Sequence, residues 1–65
     1  MSDLIKGLHD QIIRNKELLT MYEETPTGIF GAHFIRQSIQ DGEEALESGD
    51  AIKMIFAYKR LQENE

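Results

Sequence analysis

An all-α fold, a small three-helix unit assembled as a homo-oligomer, is what this 65-residue sequence predicts. Three observations point to it. Apolar residues recur at helical spacing along two long segments. Two short breaks, Thr25-Pro26 and Ser48-Gly49-Asp50, carry helix-ending and helix-starting chemistry. No segment alternates apolar and polar residues as a half-buried strand would.

The first helix is expected over residues 3–23. Ser2 or Asp3 caps its start, and Asp3 also complements the helix dipole. Ile5, Leu8, Ile12, Leu19 and Tyr22 form its stripe, with Asn15 in the skipped position, and Leu4, Ile13 and Leu18 broaden it. Asn15 is expected at the edge of the seam; the alternative is a buried polar residue that sets pairing register.

Glu24-Thr25-Pro26-Thr27-Gly28 ends that helix and begins the next. Proline disfavours helical geometry in the residue before it and suits the first helical position, so Thr25 is the expected N-cap and Pro26 the first helical residue. The second helix is expected over 26–47, with Ala32, Ile35, Ile39 and Leu46 as its stripe and Ile29, Phe30, Phe34 and Ala45 flanking it. Gly42 costs it roughly 1 kcal/mol relative to alanine, which leaves a kink or break there open.

At the second break, Gly49 suits the left-handed residue that closes a helix and Asp50 the cap that opens one. The third helix is expected over 51–62, its polar tail to Glu65 fraying. Ile52, Met54, Ile55, Phe56, Tyr58 and Leu61 point in more than one direction, and Lys53 is the only charged residue between Ala51 and Tyr58. A helix apolar nearly all round needs neighbours on both sides. Ile52, Ile55, Phe56 and Tyr58 are therefore expected to form a subunit interface; the alternative is a third helix buried within its own bundle.

Length agrees with self-association. One domain is all that 65 residues allow, and a chain this short buries only about 60% of its unfolded surface. Disulfides, a metal or oligomerisation usually make up the deficit. There is no cysteine, and the two histidines, His9 and His33, lie on different segments without metal-ligand spacing. No metal and no cofactor is expected, and oligomerisation is the option left.

Absence of cysteine fits a reducing cytoplasm. No stretch approaches the roughly 18 apolar residues of a membrane span, and Met1–Lys6 lacks signal-peptide character. A cytoplasmic protein with no membrane partner is expected. The formal charge of −5, with seven basic residues spread along the chain, argues against nucleic acid as a partner.

Catalytic residues are not expected. Ser2, Ser38 and Ser48 have no histidine near them in sequence, and Asp10 projects away from the neighbouring His9. The pairs Glu23-Glu24 and Glu43-Glu44 diverge by about 100° on a helix and read as solvated faces.

One stretch stands apart. Residues 22–32 gather two threonines, two glycines and two aromatics around a helix N-terminus. Such an end offers free backbone N–H groups and a positive partial charge, which attract phosphate or carboxylate. Thr25, Thr27, Gly28 and Gly31 would form the cradle, Tyr22 and Phe30 would stack on a base, and Arg36 would reach a phosphate from two turns on or from a neighbouring chain. The bland reading stands beside it. Thr-Pro is an ordinary helix start, the glycines let helices pack closely, Phe30 is core, and Glu23 and Glu24 repel anions.

Met21-Tyr22, then Thr25-Pro26-Thr27-Gly28, Phe30-Gly31-Ala32 and Ser48-Gly49-Asp50 together resemble a loose class of small phage and prophage accessory proteins. The resemblance spans about residues 18–58. It implies a viral or prophage origin and a part in blunting host defence, by sequestering a nucleotide signal or by binding a defence protein. The expected function is non-enzymatic sequestration of a small anionic ligand, with a cyclic nucleotide immune signal as the candidate, at an oligomer interface. The alternative is an inhibitor or adaptor that binds a host protein through the apolar third helix or the acidic surface.

Overall fold

Pro26 sets the first corner of the chain. In the computed structural model, which describes Ser2–Glu65 (of Ser2 the backbone only), Thr25 before it is extended, with φ −103° and ψ 123°. Pro26–Gly28 then makes one 3-10 turn. Around this corner α1 (Ser2–Glu23) leads into α2 (Ile29–Ser48). Gly49, at φ 69°, closes α2 in the left-handed region and donates its N–H to the Leu46 carbonyl at 3.3 Å. Asp50 opens α3 (Ala51–Glu63), its carboxylate accepting from the N–H groups of Ile52 at 2.9 Å and Lys53 at 3.3 Å. The described residues are all-α, without a strand. Asp3 sits in the first turn of α1, and the capping role expected of Ser2 lies outside the described side chains.

One correction concerns the second segment. Thr25 holds the N-cap position and Pro26 opens the turn, but the segment begins as a 3-10 turn, not an α-helix, and the Thr25 hydroxyl makes no capping bond. That hydroxyl donates instead to the Met21 carbonyl at 3.2 Å, finishing α1. α2 runs through Gly42 as a continuous helix, which settles the kink or break left open there. Gly42 is buried, and a Cβ there would stand 3.0 Å from Leu61 Cδ1 and 3.2 Å from Ile12 Cγ1. The glycine is where the three helices meet.

The helices pack as a triangle around one core. Leu8 and Ile12 of α1, Ile35, Ile39 and Ala45 of α2, and Met54, Ala57 and Leu61 of α3 build it. Each fully buried large side chain among them contributes about 1.5–3 kcal/mol of transfer free energy. α1 and α2 are antiparallel, tied by Lys16–Glu43 at 3.4 Å and Arg36–Glu23 at 2.8 Å. α3 returns alongside α1: Tyr58 lies on Gly7 and Leu61 lies beside Asn15.

Asn15 is a second correction. Instead of lying at the seam's edge it is fully buried, at 0% exposure. Its Nδ2 donates to the carbonyls of Gln11 at 2.8 Å and Leu61 at 3.1 Å, and its Oδ1 accepts from Asn64 Nδ2 at 2.9 Å. Beside it the Arg14 guanidinium donates to the carbonyls of Leu61 at 2.7 Å and Asn64 at 2.9 Å. The last carbonyls of a helix need outside partners, and a cation there also suits the dipole. No glycine follows α3; α1 closes it from across the bundle. The tail expected to fray is held there, and the Tyr22 hydroxyl donates to the Glu65 carbonyl.

Lengths then shape the molecule. At 1.5 Å per residue α1 and α2 run about 30 Å each and α3 only about 20 Å. The extents are 39 × 17 × 15 Å. Beyond the end of α3, the last turns of α1 and the first turns of α2 continue as a bare hairpin, with residues 64 and 65 alone alongside.

Candidate functional site

The expected cradle lies at the tip of that hairpin. Met21, Tyr22, Thr25, Thr27 and Gly28 line an open depression of about 350 Å³. Tyr22 is its fixed wall. Its carbonyl accepts from the Thr25 N–H at 3.2 Å, its hydroxyl reaches Glu65, and the Cδ2–Cε2 edge of its ring comes so close to Gly31 that a Cβ there would overlap it. Gly28 is held as closely, because a Cβ would overlap the Tyr22 carbonyl oxygen. With φ −91° its backbone is open to any residue, so close approach is what requires glycine here.

Of the seven residues expected to bind ligand, Tyr22, Thr25, Thr27 and Gly28 share this depression. Gly31 supports it by receiving the edge of the Tyr22 ring. Phe30 stands apart, 81% exposed, and does not belong to the core. Arg36 is held by Glu23 at 2.8 Å, which neutralises it within the chain. The backbone is also less free than expected, since Gly28 donates its N–H to the Thr25 carbonyl at 2.9 Å. The Thr25 and Tyr22 hydroxyls donate to the Met21 and Glu65 carbonyls. Within one chain the depression therefore offers the Thr27 hydroxyl as a donor beside an aromatic wall, while the cation an anion would need is occupied. Met21 was not among the residues expected to bind ligand, although it precedes Tyr22 directly and stands with it in the stretch that carries the resemblance.

A second opening, about 320 Å³, runs between α2 and α3 and is lined by Asp41, Glu44, Ala45, Lys53, Phe56, Ala57 and Arg60. Arg60 and Asp41 pair across it at 2.9 Å. Sequence reasoning did not single it out, although Lys53, Phe56 and Arg60 share one face of α3 by their spacing.

The expected interface residues separate. Met54, Ala57 and Leu61 supply the inner face of α3, and Tyr58 turns inward against Gly7. Ile52, Ile55 and Phe56 remain outside at 66%, 47% and 70% exposure. α3 is thus not buried within its own bundle. His9 and His33 are both exposed, His33 edge-on to the Phe34 ring. Among the described residues no cluster of three or more histidine or carboxylate side chains has metal-holding geometry, and no helix is long and apolar enough to cross a membrane. No protein-family model matches the chain, and neither a curated protein nor a solved structure does.

Proposed function

We propose that this protein works by binding rather than by catalysis, as a homo-oligomer that sequesters a small anionic ligand at the Thr25–Gly31 turn. The supporting observation is the depression walled by Tyr22, Thr25, Thr27 and Gly28, beside exposed Ile29 and Phe30 at 71% and 81%. The Thr27 hydroxyl can donate to a phosphate oxygen and aromatic rings stack on bases, so a cyclic nucleotide signal suits the chemistry. The resemblance to phage and prophage accessory proteins makes an immune signal of the host the favoured member of that class. Because Arg36 is engaged by Glu23, a second chain has to complete the charge balance.

Titration calorimetry against cyclic di- and trinucleotides tests the reading. One member of the panel should bind, and Thr27→Val should weaken it by about 1 kcal/mol or more, the scale of a lost hydrogen bond to a charged group. Heat from none of them, with a folded oligomer in the cell, removes the ligand.

A second reading is favoured by α3, whose outer Ile52, Ile55 and Phe56 are spare after the inner face has built the core. There the protein captures a host protein. Thr27→Val is then silent, and Ile55→Lys abolishes capture.

A further inference from the structure

The faces of α1 and α2 that hold α3 do not stop where α3 stops. On α1, Arg14 binds the end of α3, and Leu18 and Met21 continue the same row at four and seven residues onward. On α2, Asp41 pairs with Arg60 of α3, and Phe34 and Phe30 continue that row at seven and eleven residues back. Met21, Phe30 and Phe34 are 63%, 81% and 63% exposed. The hairpin tip is thus a bed for a third helix that this chain's α3 is too short to occupy.

We infer that the occupant is α3 of a second copy, its outer face of Ile52, Ile55 and Phe56 laid along the hairpin tip, so that chains join head to tail. The inference rests on the oligomeric reading above and gives it a geometry. Charge selects this pairing over the two symmetric ones. α3 carries Lys53, Lys59 and Arg60 against the single Glu63, whereas residues 17–37 carry Glu17, Glu23 and Glu24 against Arg36. Tip against tip, or α3 against α3, sets like charge on like; α3 against tip sets opposite charges together.

Area agrees. Each surface offers on the order of 350 Å² of exposed apolar side chain. With the polar rim of an ordinary interface it buries roughly 600 Å² per partner, the lower end for a specific complex. A head-to-tail contact that closes into a ring uses both surfaces of every chain and doubles that figure. The same contact brings the basic edge of α3 beside the Thr25–Gly28 depression, where a Lys53 or Lys59 ammonium supplies the charge that Arg36 cannot.

Two single variants and their mixture decide the matter. Phe34→Lys spoils the tip and leaves α3 intact; Phe56→Lys does the reverse. Both positions are exposed in the single chain, so circular dichroism should report native helix content for each. In sedimentation velocity each variant alone should be monomeric, and an equimolar mixture should form a 1:1 dimer, twice the 7.5 kDa chain mass, through the one interface left intact. Phe30→Lys mixed with Ile52→Lys repeats the test should either first variant misfold. A mixture that stays monomeric overturns the inference, and so does one single variant that still assembles, which marks a symmetric contact through the other surface. In both cases the native oligomer survives, and with it the oligomeric reading. A monomeric native protein ends both.

Discussion

Asn15→Ala probes the polar clamp that closes α3. It removes two hydrogen bonds that cross the bundle, to the Leu61 carbonyl at 3.1 Å and from Asn64 Nδ2 at 2.9 Å. At about 1 kcal/mol for each bond, the loss is about 2 kcal/mol. The space vacated by three heavy atoms at a fully buried site adds roughly 0.5–1 kcal/mol. The Leu61 carbonyl keeps Arg14 at 2.7 Å, so the orphaned group is the Asn64 amide, half-buried and within reach of water. A total of about 2.5–3 kcal/mol is a large part of the roughly 3–10 kcal/mol that a domain of this size has. It corresponds to a fall of about 10–20 °C in Tm. Urea titration followed by circular dichroism measures it, with variant and parent at equal protomer concentration because assembly shifts apparent stability. Asn64→Ala alone should cost about 1 kcal/mol, and adding it to Asn15→Ala should cost almost nothing more. A loss below about 1 kcal/mol for Asn15→Ala, or full additivity of the pair, refutes the clamp.

The remaining predictions concern single contacts. Gly49→Ala should cost about 1–2 kcal/mol, since its φ of 69° strains any side chain although the space around it is open; an unchanged urea midpoint contradicts this. Asp50→Ala should cost about 1 kcal/mol through loss of the cap on Ile52 and Lys53, and Asp50→Ser should recover most of it in the same titration. Gly31→Ala should push the Tyr22 ring off its seat, changing the near-ultraviolet dichroism of tyrosine; a native spectrum would show that the ring does not rest there. Arg60→Gln should change stability by less than about 1 kcal/mol, because its pair with Asp41 is largely exposed. Gly28→Glu is a poor probe of ligand binding, since even a Cβ meets the Tyr22 carbonyl, and Thr27→Val is the cleaner one.

Much of the fold was legible in the residues because its signals are local. Pro26 constrains the residue before it, Gly49 alone takes a left-handed φ at no steric cost, and Asp50 bonds two N–H groups within three residues of itself. Helical spacing gave the inner faces correctly at Leu8, Ile12, Ile35 and Ile39. What escaped depends on partners distant in the chain. Asn15 reads as a seam-edge residue until residues 61–64 are placed against it, 46 to 49 positions away. Gly42 leaves a kink or break open because its cost is local, while its reason, the approach of Leu61 and Ile12, is not. Arg36 reads as a free cation because nothing in the spacing reveals that Glu23 lies opposite it. Spacing names a face but not how far the neighbouring helix runs. For that reason Phe30 and Phe34 were placed as flanks of a stripe, with no sign that α3 would end before reaching them.

Self-association is common to the proposed ligand site and to the proposed pairing of the exposed apolar faces, and the mass of the native protein tests it most directly. Native mass spectrometry of protein purified from cells that express it should show ions at multiples of the 7.5 kDa chain, with extra mass from a retained anionic ligand that Thr27→Val diminishes. A bare 7.5 kDa chain at every concentration would contradict the account.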